Sequence, residues 1–172
     1  MTSVLWLRRD LRRRDLPALG AAADAADGDV HVLFVVDPTL WDRCGAVRRG
    51  WLAAGVRAAA DSYDGRLTVR IGDPAAEVAA FAAEVGAGSV HVSAETTPYG
   101  SRRDARVRGR LEERGVEWQA TGSPYAVGPG LVRTQQGGPY RVFTLRRLPR
   151  SDCDFPPAGG WAPARGAESW YR

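Results

Sequence analysis

The chain has 172 residues, which is enough for one sizeable core, and domain-size priors favour a single domain. A hydrophobic content of 44% excludes disorder throughout, and no segment approaches the roughly 18 uninterrupted apolar residues of a membrane helix, so a cytoplasmic protein is expected. The net charge is only +4, yet all 24 basic residues are arginine and they cluster at 8–14, 102–110 and 146–150, so distribution matters more than sum.

A first strand is expected over residues 3–7 (SVLWL), followed by the loop RRDLRRRD at 8–15 and a helix from Pro17 to about Ala26. Asp15 is placed to cap that helix, and Pro17 suits its first turn. A second strand at 30–36 (VHVLFVV) leads into the loop DPTLWDRCGAVRR at 37–49. Leu52, Val56, Ala59 and Tyr63 then recur at helical spacing. The third strand, LTVRI at 67–71, runs through GDP (72–74) into a helix with Val78, Phe81, Ala82 and Val85 on one face. A turn at GAGS (86–89) precedes a fourth strand over 89–94. The loop ETTPYGSRRD (95–104) leads into a helix at about 101–114 carrying Val107 and Leu111. VEWQAT, 116–121, supplies a fifth strand. This alternation predicts an α/β protein with a five-stranded parallel, Rossmann-like sheet covered by helices on both faces.

Beyond Thr121 the pattern breaks. GSPYAVGPG (122–130) and TQQGGPY (134–140) are turn-rich, and Gln136-Gly137-Gly138 is a candidate hairpin turn. The expected organisation is an α/β domain over 1–144 and an irregular tail rich in Pro, Gly and Arg over 145–172.

Open parallel sheets bind ligands at the carboxyl ends of their strands, which directs attention to the loops at 8–15, 37–49, 72–74 and 95–104. No lysine exists for a P-loop, and no GxGxxG follows the first strand. Cys44 and Cys153 stand apart without metal-ligand spacing, so no metal site and no disulfide framework is expected. His31 and His91 lie inside strands without a positioned partner and read as structural. Trp6 and Trp118 on strands and Trp51 on a helix read as core; Trp161 and Trp170 fall in the tail. The arginines at 8–14 admit three readings: a solvated surface, a salt-dependent grip on phosphates, or one or two guanidiniums turned toward a bound anionic or polar ligand.

VLWLRRDLRRRDLPAL resembles the opening of DNA photolyases and cryptochromes. The resemblance continues in order through FVVDPTLW (34–41), VRIGDPA (69–75), HVSAETTPYGSRRD (91–104), GSPYAV (122–127) and GGPYRVFT (137–144). It covers about residues 3–144 and stops where the family continues with TPFxxAW and this chain reads TLRRLPRSDCD. It implies the N-terminal α/β domain that carries an auxiliary light-harvesting chromophore. The helical domain that binds FAD and the DNA lesion is not expected within this sequence, nor is lesion repair by it alone.

Members similar to the folate-binding group have an Asn-Glu pair where this chain has Tyr99-Gly100. The resemblance therefore implies 8-hydroxy-deazaflavin or FMN as antenna rather than methenyltetrahydrofolate, with FAD confined to the other domain. Carried over position by position, Arg9 is expected beside the chromophore ring, and Phe34 and Asp37 at the family's ring-contacting aromatic and carboxylate. Arg48 matches a basic position after the DP loop, Glu95 stands where related sequences often have aspartate, and Gly100 is expected to let the backbone approach the ring. Asp10 is expected to organise the loop, and Arg12, Arg13 and Arg14 to be solvated. DNA is expected as a partner only through the second domain. Two other readings stay open: a basic α/β module binding nucleic acid non-specifically, or a fragment without function.

Overall fold

Short runs rich in Val, Leu and Ile, each closed by a turn, become the strands of a computed structural model that describes residues 1–26, 29–125, 133 and 136–138. The strands are β1 (Thr2–Leu7), β2 (Val30–Val36), β3 (Leu67–Ile71), β4 (Ala87–Val92) and β5 (Glu117–Ala120). Between them lie α1 (Pro17–Ala25), α2 (Pro38–Trp41), α3 (Ala46–Ser62), α4 (Pro74–Glu84) and α5 (Pro98–Glu112). All pairings are parallel, in the order β3-β2-β1-β4-β5. The expected five-stranded parallel sheet is therefore present. The chain divides into two compact units, Met1–Pro129 and Gly130–Arg172, and the first contains all of these elements. In the second, Gly137 has a φ of +80° within the expected turn at Gln136–Gly138. The hairpin flanks, the boundary at 144 and the tail with Cys153, Trp161 and Trp170 lie outside the described residues.

Helices cover both faces because the strands are apolar on both. One core joins Val4, Trp6, Leu33, Val35, Val90 and Val92 to α4 and α5 through Val78, Phe81, Val107 and Leu111. The other joins Leu5, Leu7, Val32, Phe34 and Leu67 to α1 and α3 through Leu16, Ala18, Ala59 and Tyr63. Adjacent residues of β1 thus go to opposite cores, as the two-residue period of a strand requires. On the second face a buried polar chain runs across two strands. Ser3 Oγ lies 2.9 Å from Ser89 Oγ, which lies 2.9 Å from His91 Nε2. Both histidines sit in strands as expected, His91 fully buried and His31 edge-on to Phe81.

Three local expectations are corrected. Asp15 does not cap α1: it has a φ of +54°, the N-cap is Leu16, and no side chain bonds the first turn. A left-handed residue ahead of Leu16 turns the chain so that Leu16 is buried, and that burial outweighs a solvent-exposed cap. Trp51 is not core but 77% exposed. The stripe Leu52, Val56, Ala59 and Tyr63 faces the sheet, leaving Trp51 and Val47, one turn apart, on the outer face. Finally, β4 starts at Ala87, since the C-cap Val85 and Gly86, the latter with a φ of +64°, complete the turn from α4. No helix among the described residues is long and apolar enough to cross a membrane.

Burial is the main force on His91, and it lowers the imidazole pKa, with the Glu117 charge opposing. The unfolded chain therefore binds the proton more readily, so His91 favours folding fully above its ordinary pKa, about 6.5, and less as pH falls below it. Urea midpoints at pH 7.5 and 5.5 should differ more for the parent than for His91→Gln; equal differences would remove this assignment.

Candidate functional site

The carboxyl ends of β1, β2 and β4 lie on one side of the sheet, and four of the helices that follow strands begin with proline there: Pro17, Pro38, Pro74 and Pro98. Proline loses nothing at this position, where its missing N–H has no helical acceptor. Asp37 caps α2 by accepting from the Thr39 amide at 2.9 Å, and Thr97 caps α5 by accepting from the Gly100 amide at 3.1 Å. These caps hold the loops on which the expected site residues sit.

An open cleft of about 680 Å³ lies over the ends of β1 and β2, and Arg9, Phe34, Asp37 and Arg48 all line it. Its volume falls in the range of small-molecule sites. Phe34 is buried and shapes the apolar wall, with Leu11, Trp41 and Leu52 beside it. Asp37 is 8% exposed and also accepts a hydrogen bond from the Tyr99 hydroxyl. Burial first, and then that bond, push the Tyr99 pKa up. Arg9 is half-exposed, lies 3.6 Å from Glu95 and stacks over the Tyr125 ring at 5.5 Å.

Glu95 and Gly100 stand behind Arg9 rather than on the cleft wall. Glu95 Oε1 accepts from the amides of Thr96 at 2.9 Å and Thr97 at 3.0 Å. Burial pushes its pKa up, but those amides, the Thr97 hydroxyl and the Arg8 charge outweigh burial and hold it below the ordinary value. A Cβ on Gly100 would lie 2.0 Å from Glu95 Cγ. The space that a Cβ would take there is filled by the Glu95 side chain, so glycine at this position lets Glu95 pack against the start of α5.

Sequence reasoning passed over the two most buried guanidiniums. Arg8 and Arg103 have side chains 7% and 8% exposed, and both pair with Asp104. Each guanidinium carbon lies 5.0 Å from the Trp6 ring centre, and Arg8 also donates to the Ser93 carbonyl. Burial lowers the Arg8 pKa, opposed by its bond to Asp104. Residues 8–10 and 102–104 both read RRD, but nothing in that repeat says which arginine turns inward.

The remaining loop arginines are placed as expected, at the surface. Arg12 pairs with Asp10 at 3.2 Å, and Arg13 with Asp64 at 2.9 Å. Tyr63 fastens the loop from below by donating its hydroxyl to the Arg12 carbonyl at 3.0 Å. Burial, then the Asp10 charge, push the Tyr63 pKa up to about 12, so this donor keeps its proton.

The family model for DNA photolyase matches residues 3–153. The deoxyribodipyrimidine photo-lyase of Streptomyces griseus is 37% identical, over 83% of this chain and 32% of its own length. An uncharacterized 31.6 kDa protein of a Synechococcus strain is 32% identical, over 96% of this chain and 61% of its own length. Among solved structures, a class III photolyase from Agrobacterium tumefaciens superposes with a TM-score of 0.71 at 26% identity, covering 83% of this chain and 30% of that one. The chain spans about a third of the length of the curated photolyases it matches.

Two substitutions probe the support of the site. Asp104→Ala removes the carboxylate shared by two buried guanidiniums and should destabilise by about 3 kcal/mol or more, exceeding Arg103→Ala in the same urea titration. Gly100→Ala should cost about 1–3 kcal/mol by driving Glu95 from its pocket, and Glu95→Ala in the same background should recover part of the loss.

Proposed function

The chain belongs to the DNA photolyase family, and from that premise we propose that its α/β domain binds a light-harvesting chromophore in the cleft over β1 and β2. One observation carries this reading: Arg9, Phe34, Asp37 and Arg48, separated in sequence, meet on the wall of a single cleft of ligand size. The donor set suits a flavin-type ring, 8-hydroxy-deazaflavin or FMN. Phe34 and Trp41 offer apolar area to a planar ring system. Asp37 holds two hydrogen bonds and, with two carboxylate oxygens, retains capacity for a ring N–H. Arg9 can stack on a ring or bond to its carbonyl edge.

An antenna dye absorbs light and passes the excitation to FAD, which a full-length protein would hold outside this domain. The residues here bind and orient the dye, exclude water from its apolar side and transfer no proton. No nucleophile is therefore needed. Lesion repair and DNA binding are assigned to the full-length protein rather than to this domain. A general grip on nucleic-acid phosphates is disfavoured by the pairing of Arg8, Arg9, Arg12 and Arg13 with Asp104, Glu95, Asp10 and Asp64. Location in the cytoplasm is part of the same proposal.

The test is titration with FMN and with 8-hydroxy-deazaflavin, followed by fluorescence anisotropy. Arg9→Ala should weaken binding about tenfold, the loss of one good charged contact. If the variant binds as tightly as the parent, the cleft is not the dye site.

A further inference from the structure

We infer that the outer edge of β3 is a self-association surface, on which a second copy of this chain pairs its own β3 antiparallel about Val69. The sheet then continues across a two-fold axis. This surface uses no residue of the cleft and stands apart from the chromophore reading.

Strand order leaves two edges, β3 and β5, and they are built differently. Trp118 of β5 packs into the core beneath α4 and α5, so Glu117 and Gln119 stand on the opposite face. Polar and charged side chains along an edge are a usual defence against pairing with another chain. On that same face β3 carries Leu67, Val69 and Ile71. Only Leu67 joins the core beneath α3, leaving Val69 45% and Ile71 73% exposed. The one charge within β3, Arg70, turns to the other face, stacks over Phe81 and pairs with Glu84 and Glu77. From Leu67 to Ile71 the strand keeps unbroken register with β2, so no bulge bends its free edge away.

The backbone agrees. Gly72 donates its amide to the Val36 carbonyl, and successive residues of a strand point their hydrogen-bonding groups to opposite sides. Thr68 and Arg70 therefore bond toward β2, while Leu67, Val69 and Ile71 direct N–H and C=O outward. Among the described residues no strand receives them. Antiparallel pairing about Val69 sets Val69 opposite Val69 of the second copy, and Leu67 opposite Ile71. Every outward N–H and C=O of the three residues then meets its complement, with the apolar side chains side by side. A two-fold interface demands this kind of self-complementarity.

Charge is complementary in the same register. Arg66, exposed and without an ion pair among the described residues, falls opposite Gly72 of the second copy. Glu77 lies against Gly72, where an added Cβ would come within 2.6 Å of its carboxylate oxygen. Arg70 holds Glu77 only at 3.7 Å, so the carboxylate is open to Arg66 of the second copy. Symmetry repeats the pair, and Arg66 and Arg70 balance Glu77 and Glu84. A partner without this pattern would leave Arg66 and Glu77 unmatched, which favours a second copy as the occupant.

Sedimentation equilibrium of the full chain tests the inference. A pairing edge this short belongs to the small, weak class of interfaces, so the average mass should rise from one chain toward two across about 5–200 µM. Val69→Lys sets two like charges opposite each other on the axis and should weaken association about tenfold or more, with the urea midpoint unchanged. Arg66→Glu, which lies outside the strand, brings an acid up to Glu77 and should weaken association about fivefold. Gln119→Lys on the β5 edge should associate as the parent does. A parent chain that stays single throughout, as when another segment of the chain or a different protein takes this edge, overturns the inference. Undiminished association in Val69→Lys or Arg66→Glu overturns it too, as does an equal loss in Gln119→Lys.

Discussion

Burial of both faces of β1 is the constraint on which the structure depends. Ser3, Val4, Leu5, Trp6 and Leu7 are all at most 2% exposed, held between β2 and β4 and covered by helices above and below. A strand enclosed in this way can place charged groups only at its ends. The first residue past its carboxyl end, Arg8, still lies in the buried layer, so its charge requires a partner. Asp104 provides it from α5, and Arg103 shares the same carboxylate against the Trp6 ring. The loop after β1 and the start of α5 are thereby joined at the point where strand order reverses from β2 to β4. Parallel sheets place their ligand crevices at such points.

Pairing then divides the arginines into groups with different tasks. Arg8 and Arg103 hold the platform beneath the cleft. Arg9 sits at its edge, tethered to Glu95 but half-exposed, so it retains a face for a ligand. Arg12 and Arg13 fasten the loop to Asp10 and to the turn after α3. A basic cluster that looks uniform in sequence thus leaves little free charge near the first strand. Among the described arginines that line the cleft, Arg43 and Arg48 have no ion pair. Glycine has a related supporting part: Gly100 admits the Glu95 side chain, which in turn holds Arg9 in place.

Much of the fold was legible because the signals were local. Strands β1 to β4, five to seven residues long, stand out as apolar runs, and the stripes on α3, α4 and α5 recur at helical spacing. The four-residue α2 escaped notice because it is too short for a periodic signal, although Asp37-Pro38 carries its start. Asp15 was misread because a cap and a left-handed turn favour the same residue types. Trp51 was misread because size suggests burial, while its position on α3 sets it beside the inward stripe and not within it.

The sequence by itself determined the alternation of strands and helices, the parallel sheet they form and the loops at the ligand end, because each depends on residues close together in the chain. Its ordered motifs also marked Arg9, Phe34, Asp37, Arg48, Glu95 and Gly100 as a set, of which the first four line one cleft. Only the tertiary structure decided which arginine of each RRD turns inward, that Asp104 serves two of them, and that Glu95 fills the space above Gly100. The inward turn of Arg8 depends on burial and on a partner 96 residues away, where the cost of an unpaired charge is set by neighbours that local sequence does not name.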